Sequence, residues 1–138
     1  MLQRIVTVMA LGFLLCGLGS LGYTANVPTS IEVKTYQGIP YISGGVGEEE
    51  RDMLRQVEGD YNVKLLFAVK EGNYLSDVNV TIEDSQGKKI LAAVSLGPLF
   101  YTKLPPGKYK VMAQVRGQTH QQVAEVNQHK QTQLQFYW

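Results

Sequence analysis

Beyond residue 60 the chain alternates apolar and polar positions. Val63, Leu65, Phe67 and Val69 take every second place in 62–70, and Val78, Val80 and Ile82 do so in 77–83 against Asp77, Asn79, Thr81 and Glu83. Tyr109, Val111, Ala113 and Val115 oppose Lys110, Met112, Gln114 and Arg116; Thr132, Leu134, Phe136 and Trp138 oppose Gln131, Gln133, Gln135 and Tyr137. A period of two sends alternate side chains to opposite faces of a strand. One apolar and one polar face is the pattern of antiparallel sheet that is wet on one side. Residues 31–37, 89–94 and 122–126 read as weaker strands.

Turn chemistry separates these runs. Glu71-Gly72-Asn73, Ser85-Gln86-Gly87, Gly97-Pro98, Leu104-Pro105-Pro106-Gly107 and Arg116-Gly117-Gln118 place Gly, Pro or Asn between strands, where positive or fixed φ is needed. One segment has a different period. In 47–58, Met53, Leu54 and Val57 recur at helical spacing, and Glu48, Glu49 and Glu50 occupy the first turn, where carboxylates favour the positive helix end. The pattern predicts one short helix ending near Gly59. Short strands with regular turn signals and a single helix predict an all-β fold, an antiparallel sandwich of about seven strands. The Gln-rich stretch 114–135 alternates with apolar residues and reads as solvated strand faces rather than low complexity.

The first 25 residues follow another rule. Arg4 precedes an apolar run that includes Ile5, Val6, Leu11, Phe13, Leu14 and Leu15, and the next charge is Glu32. A positive start, an apolar stretch and then small residues is the order of a secretory signal. Ser20 and Gly22 supply the small −3 and −1 residues, so the expected cut follows Gly22; Ala25 is a second candidate, weakened by Tyr23 at its −3 place. An uncut anchor is the alternative, because the uncharged run approaches bilayer-spanning length, although Gly17, Gly19 and Gly22 weaken it as a helix. Cys16 follows Leu14 and Leu15 rather than the small residue expected before an acylated cysteine. Removing 1–22 leaves about 115 residues, enough for one domain without staples. In this division, 26–60 is an N-terminal strand plus the short helix, part of the same domain as 61–138.

Charge and thiol content narrow the function classes. The chain has 13 Lys+Arg and 12 Asp+Glu; Arg4 is the one basic residue before 30, so the mature part balances twelve against twelve. Near neutrality argues against a nucleic-acid or acidic-membrane partner, both of which need clustered positive charge. The single cysteine, Cys16, leaves with the signal, which removes disulfide, thiolate and Cys-zinc chemistry.

The run 77–89, Asp-Val-Asn-Val-Thr-Ile-Glu-Asp-Ser-Gln-Gly-Lys-Lys, followed by Leu-Pro-Pro-Gly-Lys-Tyr-Lys-Val at 104–111 and by Gly117, resembles the carboxypeptidase regulatory-like, transthyretin-like (prealbumin-like) β-sandwich family. The resemblance covers about 61–138 and implies an Ig/transthyretin-like sandwich in which Leu104, Pro105, Pro106, Gly107 and Tyr109 form a structural corner. It implies a binding, packing or stabilising role, since no peptidase domain accompanies it. The arrangement that includes Tyr-Ile-Ser-Gly-Gly-Val-Gly-Glu-Glu-Glu at 41–50 is also similar to small exported bacterial proteins without an assigned activity. Where family members often carry an Asp-x-x-Gly step before the corner, this chain has Leu96-Gly97-Pro98-Leu99-Phe100-Tyr101, so a function tied to that loop does not transfer.

Each motif that suggests chemistry has a simpler reading. Ser43-Gly44-Gly45-Val46-Gly47 before a helix has the outline of a phosphate loop, yet it lacks the Lys-Ser/Thr pair, and three glutamates follow where phosphate would sit. His120 and His129 have no HExxH-like spacing and only Glu125 between them, a weak metal set. Ser76, Ser85 and Ser95 lack the G-x-S-x-G elbow a catalytic triad would show. Glu48, Glu49, Glu50 and Asp52 lack the alternation and glycine of a calcium loop. Leu134 to Trp138 is similar to the last strand of an outer-membrane barrel, but the double-proline corner and the helix oppose a barrel.

Aromatics at sheet edges are the better candidates, because they anchor partners or stack on sugars. Alternation assigns Phe136 and Trp138 to the core. That leaves Tyr137, with Phe100 or Tyr101, as the candidate binding surface. The sequence therefore predicts a non-catalytic, periplasmic or secreted module with a binding or structural accessory role in the cell envelope, using no cofactor or metal. Its partner would be an envelope protein or glycan. A small periplasmic hydrolase and a membrane-anchored envelope scaffold are the alternatives.

Overall fold

A computed structural model describes residues 31–138. The expected signal segment, 1–22, and Cys16 lie outside the described residues. Nine strands form two sheets around one short helix: β1 (Lys34–Tyr36), β2 (Ile39–Gly44), α1 (Glu48–Val57), β3 (Val63–Ala68), β4 (Val78–Asp84), β5 (Lys89–Ser95), β6 (Leu99–Thr102), β7 (Gly107–Val115), β8 (Gln118–Val126) and β9 (Thr132–Tyr137). One sheet has the order β1-β2-β6-β3-β9 and the other β5-β4-β7-β8. Every neighbouring pair is antiparallel except β3 and β9, which run parallel with Leu65 opposite Leu134 and Phe67 opposite Phe136. The molecule is an all-β sandwich.

The alternating residues form the core. Val63, Leu65 and Phe67 of β3 and Phe136 of β9 face Val78, Val80 and Ile82 of β4, Leu91 of β5, Val111 and Ala113 of β7, and Ala124 and Val126 of β8, all buried. Phe67 lies 5.8 Å from Phe136 and 6.3 Å from Trp138, ring centre to ring centre. These are the separations of attractive aromatic pairs.

Two strands go beyond the seven expected. Periodicity misses β6 because Leu-Phe-Tyr-Thr is covered on both faces, by the opposite sheet inside and by α1 outside, and a doubly covered strand has no polar face to alternate with. The hairpin β1–β2 turns at Gln37 and Gly38, with φ of 47° and 83°, a pair of left-handed residues suited to a two-residue turn. Gln-Gly is a weaker turn signal than Asn-Gly, and Pro40 inside the next run conceals β2.

The corner is built by side chain and backbone together. Leu104 is buried, and the Tyr109 hydroxyl donates to the Pro105 carbonyl at 2.6 Å. Asn62 clamps the same corner from the start of β3, donating to the Leu104 carbonyl (2.7 Å) and accepting from its N–H (2.9 Å). Where β5 crosses to β6 the chain passes very close to the end of β2. A Cβ on Gly97 would sit 2.3 Å from the Gly44 carbonyl oxygen, so only glycine fits.

The helix lies on the outer face of the five-stranded sheet. Its Leu54 joins Ile42 and Tyr101 in a second small buried cluster, packed by Ile31, Val57, Tyr61 and Leu99. A single turn of 3-10 helix, Glu58–Asp60, ends it.

Candidate functional site

α1 covers only the β2–β6 half of that outer face. Over β3 and β9 the sheet lies open, and a groove of about 250 Å³ runs along the helix edge. Its residues come from six segments: Arg51 and Arg55 on α1, Lys64 and Leu66 on β3, Tyr74 and Pro98 in two separate loops, Leu99 and Tyr101 on β6, and Gln133, Leu134 and Gln135 on β9. Parallel pairing sets Lys64 beside Gln133 and Leu66 beside Gln135. Three side chains in this lining are cationic and none is a carboxylate.

The cations are not equivalent. Lys64 Nζ donates to Glu58 at 2.7 Å, and Arg55 pairs with Asp52 one turn back on the helix. Arg51 donates from one terminal nitrogen to the Gly45 and Val46 carbonyls at 3.1 and 3.3 Å, with its guanidinium 5.8 Å from the centre of the Tyr74 ring. Among the described residues it pairs with no carboxylate, and a guanidinium has five N–H donors. Tyr74, 59% exposed, forms the open wall.

Tyr101 lies at the groove floor, fully buried, and its hydroxyl donates to no acceptor among the described residues, the Lys64 ammonium beside it being itself a donor. Leaving a buried donor unsatisfied costs about 1–3 kcal/mol, so its retention needs a reason. Burial raises the phenol's pKa, only partly offset by the nearby Lys64 ammonium, which stands 5.4 Å from the ring centre. The hydroxyl is therefore a protonated donor at neutral pH. Burial also acts on Lys64, pulling its pKa down, but Glu58 and Tyr101 together, through hydrogen bonding and charge, outweigh that and the net shift is upward. Lys64 stays charged.

This geometry corrects the expected surface. Phe100 is fully buried between the sheets and stacks on Tyr41 at 5.4 Å, because an inward residue of a central strand has no route to solvent. Tyr101, also buried, meets the groove only at its floor, beneath the helix. Neither presents an exposed ring. Tyr137 is 43% exposed on the same outer face, and its hydroxyl donates to Gln135 at 2.9 Å, so it adjoins the groove's far rim. Arg51, Lys64 and Tyr74 were not expected as site residues. The glutamates before Arg51 and the strand polarity of Lys64 explain those two side chains as solvated faces, and only the tertiary fold brings them together.

The remaining motifs separate. Ser95 is buried and donates to the Gly97 carbonyl at 2.7 Å, while Ser43 accepts from the Leu96 N–H at 3.1 Å, so both serve the crossing of β5 to β6. The His120 ring packs against Trp138 at 4.8 Å, and no hydrogen bond joins either imidazole to a serine or carboxylate among the described residues. Among those residues no group of three His, Cys, Asp or Glu is placed to hold a metal, and no helix is long and apolar enough to cross a membrane. A wider depression of about 940 Å³ beside the corner is lined by Pro40, Gly59, Pro105 and Pro106, with Asp60 and Lys103 balancing in charge.

Compared with models of protein families, with curated proteins and with solved structures, the chain matches none.

The groove is thus the described feature in which enclosure, unbalanced charge and an unsatisfied donor coincide. At about 250 Å³ it falls just below the roughly 300–1,000 Å³ of drug-sized sites, a size suited to one small group rather than a long chain.

Proposed function

We propose that the protein is an exported, non-catalytic binding module of the cell envelope, periplasmic or secreted, that holds its partner in the groove beside α1. The observation that carries this reading is the groove itself: three cationic side chains around a buried, unpartnered tyrosine hydroxyl, on the half of the sheet that the helix leaves open. A fold that spends a helix on only half of an outer face, and leaves a donor unsatisfied beneath it, is arranged for something beyond its own packing. The partner is an envelope protein or glycan. The separated histidines and serines support a binding role over hydrolysis, since nucleophile and base must lie within hydrogen-bond reach. The Tyr109 corner and the Gly-containing turns support placing residues 61–138 with the carboxypeptidase regulatory-like, transthyretin-like domains. The signal-like first 22 residues support export.

The test is crosslinking in the native envelope with mass spectrometry of what is captured, run on the wild type, Tyr74→Ala and Tyr137→Ala. Capture of one species, lost in Tyr74→Ala and weakened in Tyr137→Ala, is the expected result. Capture unaffected by either change would move the site elsewhere. Intact mass of the recovered protein checks export, because the cleaved form lacks residues 1–22 or 1–25.

A further inference from the structure

We infer that the groove recognises a carboxylate carried on a flat, largely apolar body, with Arg51 as its ion-pair partner and the Tyr101 hydroxyl as a hydrogen-bond donor. This rests on reading the groove as the ligand site and adds the chemistry of what enters it.

The charge balance sets the sign and number. Arg55 already holds Asp52 and Lys64 already holds Glu58, each pair neutral. Arg51 is left with backbone carbonyls alone among the described residues, so the site is short of a single negative charge. A guanidinium with free N–H groups meets a carboxylate in a planar, two-bond arrangement. The Tyr101 hydroxyl asks for the same thing by a separate route, because it is a buried donor without an acceptor, and an oxygen that enters as the overlying Lys64 side chain swings aside satisfies it. Two independent deficits, one of charge and one of hydrogen bonding, are met by one group.

The rest of the lining describes what the carboxylate is attached to. Leu66 and Leu99 are half-buried and apolar, Pro98 is buried, and the exposed Tyr74 contributes a flat ring to the same lining. At about 250 Å³ the groove has room for a planar ring of the size of benzene, and the exposed Gln133 and Gln135 add amides to its lining. Lys64 is not the primary partner, since Glu58 holds it and neutralises its charge.

The test uses three isosteric probes, benzoate, benzamide and benzamidine, titrated into the purified protein while amide resonances are followed by NMR. The expected result is saturable shifts around Arg51, Leu66 and Tyr74 with benzoate, at least about tenfold weaker effects with benzamide, and none with benzamidine. Arg51→Gln weakens benzoate on the order of tenfold, and Tyr101→Phe about fivefold while melting no lower than the wild type. Loss of affinity in a variant that folds as well or better is what a purely structural tyrosine would not give. Equal binding of benzoate and benzamide would overturn the carboxylate assignment and leave the groove a ligand site. If none of the three probes moves those resonances, the groove reading falls along with it. Undiminished benzoate binding by Tyr101→Phe would remove the hydroxyl from the site.

Discussion

The inner and outer faces of the five-stranded sheet are finished to different standards. Inside, Val63, Leu65, Phe67, Phe100 and Phe136 pack against the second sheet, and the buried polar side chains near that layer are satisfied: Thr102 donates to the Pro40 carbonyl at 2.9 Å and Ser95 to Gly97 at 2.7 Å. Outside, three buried residues, Ile42, Leu54 and Tyr101, hold the helix down, and one of them keeps a hydroxyl without a partner. Interiors tolerate few such defects. The contrast teaches that the inner layer supplies the stability of the fold, whereas the outer layer gives up stability around a charged groove, as binding sites commonly do.

The strongest way to break this comparison is to damage each layer in turn. Phe67→Ala removes a fully buried ring from the inner layer and should cost about 3–5 kcal/mol, read as a lower denaturant midpoint with the same m-value. Leu54→Ala should free the helix edge locally, raising amide exchange in α1 and β2 while the four-stranded sheet stays protected. If Leu54→Ala instead unfolds everything cooperatively at a cost equal to that of Phe67→Ala, the two layers are one unit and the contrast fails.

Next in size are two tyrosines that differ in one hydrogen bond. The Tyr109 hydroxyl donates to Pro105 at 2.6 Å and the Tyr101 hydroxyl donates to nothing. Tyr109→Phe should therefore destabilise by about 0.5–1.5 kcal/mol, and Tyr101→Phe should be neutral or stabilising by about 1 kcal/mol. Chemical denaturation of both variants reads the difference directly. A destabilised Tyr101→Phe would mean the hydroxyl has a partner that matters to the fold.

What was legible beforehand follows the same division. Strands β3, β4, β7 and β9 alternate because each has one dry face, and their core residues could be named from period alone. The helix was legible from Met53, Leu54 and Val57, and the corner from its prolines and Tyr109. β6 was not, because coverage on both faces erases alternation; hence Phe100 and Tyr101, read as surface aromatics, are buried. Tyr101 does belong to the candidate site, but as a hidden donor rather than a stacking ring. The groove was illegible because it assembles positions as distant as Arg51 and Gln135, joined by the parallel pairing of β3 with β9. No local pattern reports a contact of that range.

Alkaline pH offers a smaller effect with a determined sign. Tyr61, Tyr101 and Tyr109 have pKa values raised by burial above the ordinary 10.0, and Lys64 lies above its ordinary 10.5, burial being outweighed there by Glu58 and Tyr101 together. A raised folded-state pKa stabilises fully below the unfolded value and loses that contribution as pH climbs through the folded one. All four act together, so stability should hold up to about pH 10 and decline above it, with no matching gain at the acid end from these groups. Denaturation midpoints between pH 8 and about 12 measure this. Tyr101→Phe should flatten the decline, because it removes one of the groups that titrate.

The smallest expected change in stability separates packing from recognition most cleanly. Glu58 and Lys64 form a half-exposed pair, with side chains 36% and 24% accessible, and such pairs contribute about 0–1 kcal/mol. Glu58→Gln keeps an acceptor for Lys64 but deletes the negative charge, so the melting temperature should barely move. The groove, however, would then be short of two negative charges rather than one. Benzoate should bind a few-fold tighter, and the gain should shrink as salt screens the added field. A variant with unchanged stability and unchanged benzoate affinity would show that Lys64 contributes nothing to the groove's field, leaving Arg51 and Tyr101 to carry recognition alone.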